Sequence, residues 1–193
     1  MTTTADAPPA TAAAVQQCGA TVWLTGLPSA GKTTIALALA EQLRSEGRRV
    51  EVLDGDEVRT FLSAGLGFTP ADRDTNIQRI GFVAELLASN GVTVLAPVIA
   101  PYAASRAAVA ARHAEQGTAY LEVHVATPVE VCSVRDVKGL YAKQASGEIS
   151  GLTGVDDPYE VPTAPDLRIE AHTQSVAQSA AALRALLTER GLA

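Results

Sequence analysis

The segment Gly26-Leu27-Pro28-Ser29-Ala30-Gly31-Lys32-Thr33-Thr34 constrains this 193-residue chain more than any other feature. It fits the pattern GxxxxGK[ST], follows the apolar run 21–25, and opens a stretch, 32–45, whose apolar residues recur every three or four positions. A strand, a glycine-bearing turn and a helix in that order let backbone N–H groups converge on phosphate oxygens, with the positive end of the helix dipole behind them. In such a loop Lys32 neutralises β- and γ-phosphates and Thr33 ligates Mg²⁺. The same turn commits the chain to a sheet whose ligands gather at the carboxyl ends of its strands.

The rest of the pattern agrees. Short apolar runs at 21–25, 49–53, 92–98, 120–125 and 167–170 alternate with helical periodicity at 32–45, 72–89, 103–115 and 175–190. This predicts an α/β fold: a five-stranded parallel sheet between two layers of helices, a three-layer sandwich of the P-loop NTPase type. Gly47, Gly91 and Gly117 follow three of the helical stretches, where left-handed caps are expected. Residues 1–19, rich in Thr, Ala and Pro, have no amphipathic period and read as a flexible tail before a single domain, 20–193. The stretch 138–165, rich in Gly, Asp and Pro, breaks the rhythm and reads as a functional loop or lid.

Composition excludes several function classes. A net charge of -6 gives no cationic surface for nucleic acid or an anionic membrane, so an anionic ligand has to be held by a local cluster of donors. No run approaches the ~18 apolar residues of a membrane span, and the N-terminus lacks the pattern of a secretory signal. Cys18 and Cys132 are far apart and outside any metal-ligand spacing, which fits a reducing cytoplasm. His113, His124 and His172 share no spacing and read as structural.

Residues beyond the phosphate loop separate the remaining classes. A guanine-reading NKxD is absent, and the one DxxG, 136–139, comes too late to sense a γ-phosphate. The second strand ends in Asp54-Gly55-Asp56, which puts two carboxylates beside the transferring phosphate. One can take the proton of an attacking hydroxyl, and either can orient Mg²⁺ through water. Asp56 fits an N-cap of the following helix equally well. Arg73 and Arg79 could be a solvated surface pair, and Phe68 a core ring, although Gly67 and Thr69-Pro70 beside it favour an exposed loop.

Taken together, these residues resemble the adenylylsulfate kinases, which phosphorylate the 3′-hydroxyl of adenylylsulfate with MgATP. The similarity runs from about residue 20 to the end. It includes the phosphate loop, Leu53-Asp54-Gly55-Asp56-Glu57-Val58-Arg59, Leu66-Gly67-Phe68, Asp72-Arg73 and Asn76-Ile77-Gln78-Arg79. It continues through Ile99-Ala100-Pro101-Tyr102, Arg135-Asp136-Val137-Lys138-Gly139-Leu140-Tyr141 and Thr153-Gly154-Val155-Asp156-Asp157-Pro158-Tyr159. The resemblance implies ATP and Mg²⁺ as cofactors, a homodimer, Asp54 as proton acceptor, and Asp56 holding Mg²⁺ through water. It implies that Arg135 helps bind ATP, that Arg59, Phe68, Arg73, Asn76, Lys138 and Leu152 bind adenylylsulfate, and that Lys138 and Lys143 belong to a lid.

The chain departs from the family at three places. Ala100 stands where Ser is usual, which excludes a phosphoserine route but not direct in-line transfer. Leu152 stands where Phe is expected to cover the acceptor adenine, and leucine covers without stacking. Pro28-Ser29 replaces a common Ser-Gly. Two other readings stay open: a related kinase with another small nucleotide-like or sugar acceptor, and a nucleotide-binding regulator without catalysis.

Overall fold

The computed structural model describes residues 19–193; the tail read at 1–18, with Cys18, lies outside the described residues. Five strands, β1 (Ala20–Thr25), β2 (Val50–Val52), β3 (Thr93–Pro97), β4 (Ala119–Val125) and β5 (Leu167–Ile169), form one parallel sheet in the order β2-β3-β1-β4-β5. The helices are α1 (Lys32–Ser45), α2 (Gly55–Thr60), α3 (Pro70–Ser89), α4 (Ala103–Glu115), α5 (Val129–Arg135), α6 (Leu140–Ala145) and α7 (Val176–Glu189). The sandwich expected from the alternation of runs is present.

The apolar runs are continuous because helices cover both faces of the sheet. Strand β1 is buried along its whole length, and its side chains divide by parity. Val22 and Leu24 join the larger cluster with Ile35, Leu39 and Leu43 of α1 and Leu183 and Leu187 of α7. Trp23 joins the smaller cluster with Ile77 and Ile80 of α3 and Val109 of α4. Two threonines on the same strand are satisfied in the interior: Thr21 bonds His113 Nε2 at 2.8 Å, and Thr25 donates to Ile99 O at 2.6 Å. His113 is thus a structural histidine, with Nδ1 2.8 Å from Val109 O.

Local chemistry explains the helix ends. Thr69 caps α3, with Pro70 in its first turn, and Ser175 and Gln178 form a reciprocal capping box at α7. After α1, α3 and α4 the glycines expected as caps adopt positive φ, and each is followed by a bond back to the helix. Helices α2, α5 and α6 are additions to the sequence reading. Each spans seven residues or fewer, too short to show a 3.6-residue period. Among the described residues no helix is long and apolar enough to cross a membrane.

Helices α3 and α4 meet where α3 carries Gly81. A Cβ there would come within 2.6 Å of Val109 Cγ2, and β-branched Val109 has little freedom to yield. Gly81→Ala should therefore destabilise the fold by about 1–2 kcal/mol, overpacking outweighing the gain in helix propensity. Urea unfolding checks this; an unchanged or higher midpoint would show that the contact repacks freely.

Candidate functional site

At the carboxyl ends of β1, β2 and β3 the chain encloses a cavity of about 950 Å³. Its floor is the turn from β1 into α1. Ile35 N–H is the first in α1 with an intrahelical acceptor, Gly31 O at 3.1 Å, so the preceding N–H groups of the first turn are left for a ligand. The carbonyls of the turn are drawn away by other elements. Tyr141 OH donates to Pro28 O at 3.1 Å, and Thr127 Oγ1 and Arg135 Nη1 donate to Ala30 O at 2.8 and 3.4 Å. Ser29 has φ 61°, an uncommon value for a non-glycine residue and one that the turn requires.

Lys32 Nζ donates to Gly26 O at 2.9 Å and Leu27 O at 2.7 Å. Gly26 and Leu27 therefore serve the site through their carbonyls, while Pro28, Ser29, Ala30, Gly31, Lys32, Thr33 and Thr34 line it. Burial pushes the Lys32 pKa down to about 7, against the opposing pull of Asp54.

Two carboxylates stand beside Lys32. Asp54 accepts from Thr33 Oγ1 at 2.7 Å through Oδ2 and from Asp56 N–H at 2.9 Å through Oδ1. It is Asp54, not Asp56, that caps the helix after the second strand, because α2 begins at Gly55. Asp56 instead pairs with the ammonium of Lys138 across the cavity mouth; both side chains are exposed, so the contact is weak. Among the described residues no three His, Cys, Asp or Glu side chains form a metal cage. The oxygen donors of Thr33, Asp54 and Asp56 fit Mg²⁺, which is usually held by one or two carboxylates together with substrate phosphates and water.

The opposite wall is built from α2, the loop after it, α3 and the 97–101 segment. Phe68 is 65% exposed, as its glycine and proline neighbours suggested, and the Arg59 guanidinium lies 4.6 Å from its ring centroid. Arg73 is 8% exposed, which removes the surface pair with Arg79; Arg79 is exposed and donates to Leu62 O at 2.9 Å. Arg73 Nε bonds Phe68 O at 2.9 Å, and its other nitrogens reach Thr153 Oγ1 at 3.0 Å and Gly151 O at 2.6 Å. Asn76 is 5% exposed and its Oδ1 has no partner among the described residues, so it lines the cavity with an acceptor in need of a donor.

Two further expectations are corrected. Leu152 is 6% exposed and packs in the larger core cluster, away from the cavity. The cause is local: Asp156 accepts from the Gly151 and Leu152 N–H groups at 2.9 and 2.7 Å, and this tight turn directs the leucine inward. Lys143 pairs with Glu148 at 3.4 Å and does not line the cavity, since α6 holds it outside. His124 is buried beside Tyr159, and burial with Arg168 nearby lowers its pKa to about 4, leaving it neutral.

Some site residues escaped the sequence reading. Ala171, Gln174, Ser175 and Val176, after β5, line the cavity with Val137 and Leu140. Their place at a strand's carboxyl end was the available signal. Arg106, which stands behind the cavity wall, carried none, because arginines in an alanine-rich helix read as surface. Five cations line the cavity, Lys32, Arg59, Arg73, Arg135 and Lys138, against two acids, Asp54 and Asp56. In a chain of net charge -6, that is the local cluster an anionic ligand needs.

Comparison with known proteins gives one answer. Residues 18–170 match the family described as adenylylsulphate kinase. A probable adenylyl-sulfate kinase of Synechocystis is 57% identical over 165 residues, covering 86% of this chain and 91% of its own. An adenylyl-sulfate kinase of Myxococcus xanthus is 49% identical over 177 residues, 92% of this chain and 95% of its own. The structure of the Mycobacterium tuberculosis APS kinase in complex with AMPPNP and APS superposes with a TM-score of 0.87 at 44% identity, covering 89% of this chain and 99% of that one. With the fold, the phosphate loop and the length of the match in agreement, the chain belongs to the adenylylsulfate kinase family.

Proposed function

We propose that this protein transfers the γ-phosphate of MgATP to the 3′-hydroxyl of adenylylsulfate, giving 3′-phosphoadenylylsulfate and ADP. The observation that carries this reading is the juxtaposition of Lys32, Thr33 and Asp54 in a cavity whose far wall offers Arg59, Phe68, Arg73 and Asn76. A phosphate donor and an anionic, aromatic acceptor meet such walls from opposite sides.

ATP binds with its phosphates on the turn 26–34, held by the first-turn N–H groups of α1 and by Lys32, with Arg135 near the base. Thr33, with Asp56 through water, would hold Mg²⁺, which when bound neutralises charge on the β- and γ-phosphates. Asp54 accepts the proton of the 3′-hydroxyl as it attacks in line; its contact with Thr33 keeps the base beside the phosphate loop. Phe68 offers its face to the acceptor base, while Arg59 and the unused N–H groups of Arg73 attract the anion. Asn76 Oδ1 takes a donor from the acceptor. Lys138, paired with Asp56 across the mouth, releases it to face the substrates, and closure excludes water. Ala100 lines the cavity without a hydroxyl, so transfer goes directly from ATP to acceptor.

One domain, 20–193, carries the whole reaction in this reading, with a closing segment within 138–165. Assembly as a homodimer and a cytoplasmic location belong to the same proposal; the family resemblance supports the first, and the sequence composition the second.

The decisive assay follows ADP release from MgATP with and without adenylylsulfate and identifies the nucleotide product chromatographically. Acceptor-dependent release with 3′-phosphoadenylylsulfate as product is expected; a protein that binds ATP but ignores adenylylsulfate would send the search to other acceptors. In Asp54→Asn we expect kcat to fall by roughly 10²–10⁴-fold with the ATP KM little changed. Near-full turnover would remove Asp54 as the base.

Lys32 gives a pH test. Its pKa of about 7 in the free protein lies far below the unfolded value, so between the two the folded state binds fewer protons, and stability from this group rises with pH. Bound phosphates favour the charged ammonium and raise that pKa again. Nucleotide binding at about pH 8 should therefore take up close to one proton, read by calorimetry in buffers of different ionisation enthalpy. Proton release, or no exchange, would count against it.

A further inference from the structure

The mechanism leaves the buried charged residues Glu85 and Arg106 unassigned, and of the two it is Arg106 that bonds a residue lining the cavity. Arg106, on α4, is 4% exposed and lies behind the cavity wall without lining it. Its three nitrogens reach three different parts of the fold. Nε donates to Glu122 Oε1 on β4 at 2.6 Å, Nη1 to Ala100 O at 2.8 Å, and Nη2 to Glu160 O at 2.8 Å.

Ala100 is where this matters. It lines the cavity and has φ 44°, a left-handed value that alanine rarely adopts and that something must hold in place. The carbonyl before it, Ile99 O, is bound by Thr25 Oγ1 at 2.6 Å, so both carbonyls of the wall are tied to protein donors. An anion beside this wall is repelled by a free carbonyl oxygen and attracted by a peptide N–H, which in the Ala100-Pro101 pair only Ala100 can supply because proline has none. Release of the Ala100 carbonyl would let that peptide rotate and present oxygen to the anion.

The same arginine fastens the end of the 151–160 segment, which packs behind the 99–101 wall. Glu160 N–H donates to Pro101 O at 2.9 Å, and Glu160 Oε2 accepts from Ala103 N–H at 2.6 Å. Arg73 holds the beginning of that segment at Gly151 and Thr153. The stretch 151–160 is therefore pinned at both ends by buried arginines, one of which also sets the shape of the acceptor wall.

We propose that Arg106 is a positioning residue for the acceptor: by holding the Ala100 and Glu160 carbonyls it keeps the 99–101 wall in the form that receives the anionic end of adenylylsulfate. This rests on the function proposed above. It assigns Arg106 to acceptor binding, not to ATP binding or to the chemical step.

Initial-rate kinetics on the full chain, varying MgATP and adenylylsulfate separately, tests it. Arg106→Gln should raise the adenylylsulfate KM roughly tenfold, with the ATP KM and kcat within about threefold of wild type. Because that variant leaves Glu122 without its cation and can fail to fold, Arg106→Lys is the companion. It keeps a charge beside Glu122, yet one ammonium cannot serve three acceptors, so a smaller rise in the same KM is expected. Adding Ala100→Gly, which enters the left-handed region without strain, should recover part of the lost acceptor affinity. A folded Arg106→Lys with unchanged acceptor KM, equal rises in both KM values, or no recovery with Ala100→Gly would each overturn the assignment. Wild-type protein that binds MgATP but does not use adenylylsulfate overturns the functional reading and this inference together.

Discussion

The turn from β1 into α1 is the constraint on which the site depends. A helix start offers unpaired N–H groups to an anion only if the carbonyls of the same turn are kept away from it. Here that work is shared by Tyr141 on α6, Thr127 before α5 and Arg135 at the end of α5, each bonded to a carbonyl of the turn. The phosphate site is therefore a property of the assembled sheet, with β4 and the segment after it holding a loop that begins at β1. Lys32 completes the arrangement by folding back on Gly26 and Leu27, and burial leaves it ready to gain charge when phosphate arrives.

A second theme is how an acidic protein holds anions. With a net charge of -6 the molecule as a whole repels them, and the cavity reverses that sign locally with five cations against two acids. These cations are not equivalent. Lys138 and Arg135 are exposed and long, suited to moving with a ligand. Arg73 is buried and already engaged by three hydrogen-bond acceptors and the Asp157 carboxylate, so its contribution is a fixed one: it sets the Phe68 loop against the 151–157 turn and offers what donors remain. Arg106 belongs with it as a clamp. Both hold backbone carbonyls from well-separated parts of the chain, a task for which a planar, forked guanidinium suits better than a flexible ammonium.

Much of this was legible in the residues. Periodicity placed all five strands within two residues and gave the bounds of α1 and α4 outright, because those elements bury a face and so carry a strong pattern. The phosphate loop, the Asp54 and Asp56 pair and the exposed Phe68 were readable for chemical reasons: each needs particular residue types at particular spacings. Helices α2, α5 and α6 were not, being too short to repeat. Leu152 was misplaced because the Asp156 turn that buries it depends on geometry within 151–157, which spacing does not encode. The cap on α2 fell to Asp54 for a similar reason, a shift in helix start that only backbone angles decide.

The sequence by itself determined the parallel sheet, the nucleotide turn and the family, since these follow from local pattern and from residue types that chemistry cannot exchange. Only the tertiary structure decided which of the polar residues are partners. That Thr33 meets Asp54, that Arg73 is a buried clamp and not half of a surface pair, and that Arg106 reaches Glu122, Ala100 and Glu160 are contacts across 16 to 80 positions of chain or, for Ala100, across a backbone bend at φ 44°. Hydrogen-bonding capacity is written in each residue, but its partner is set by where packing brings the chain, and packing is a property of the whole fold.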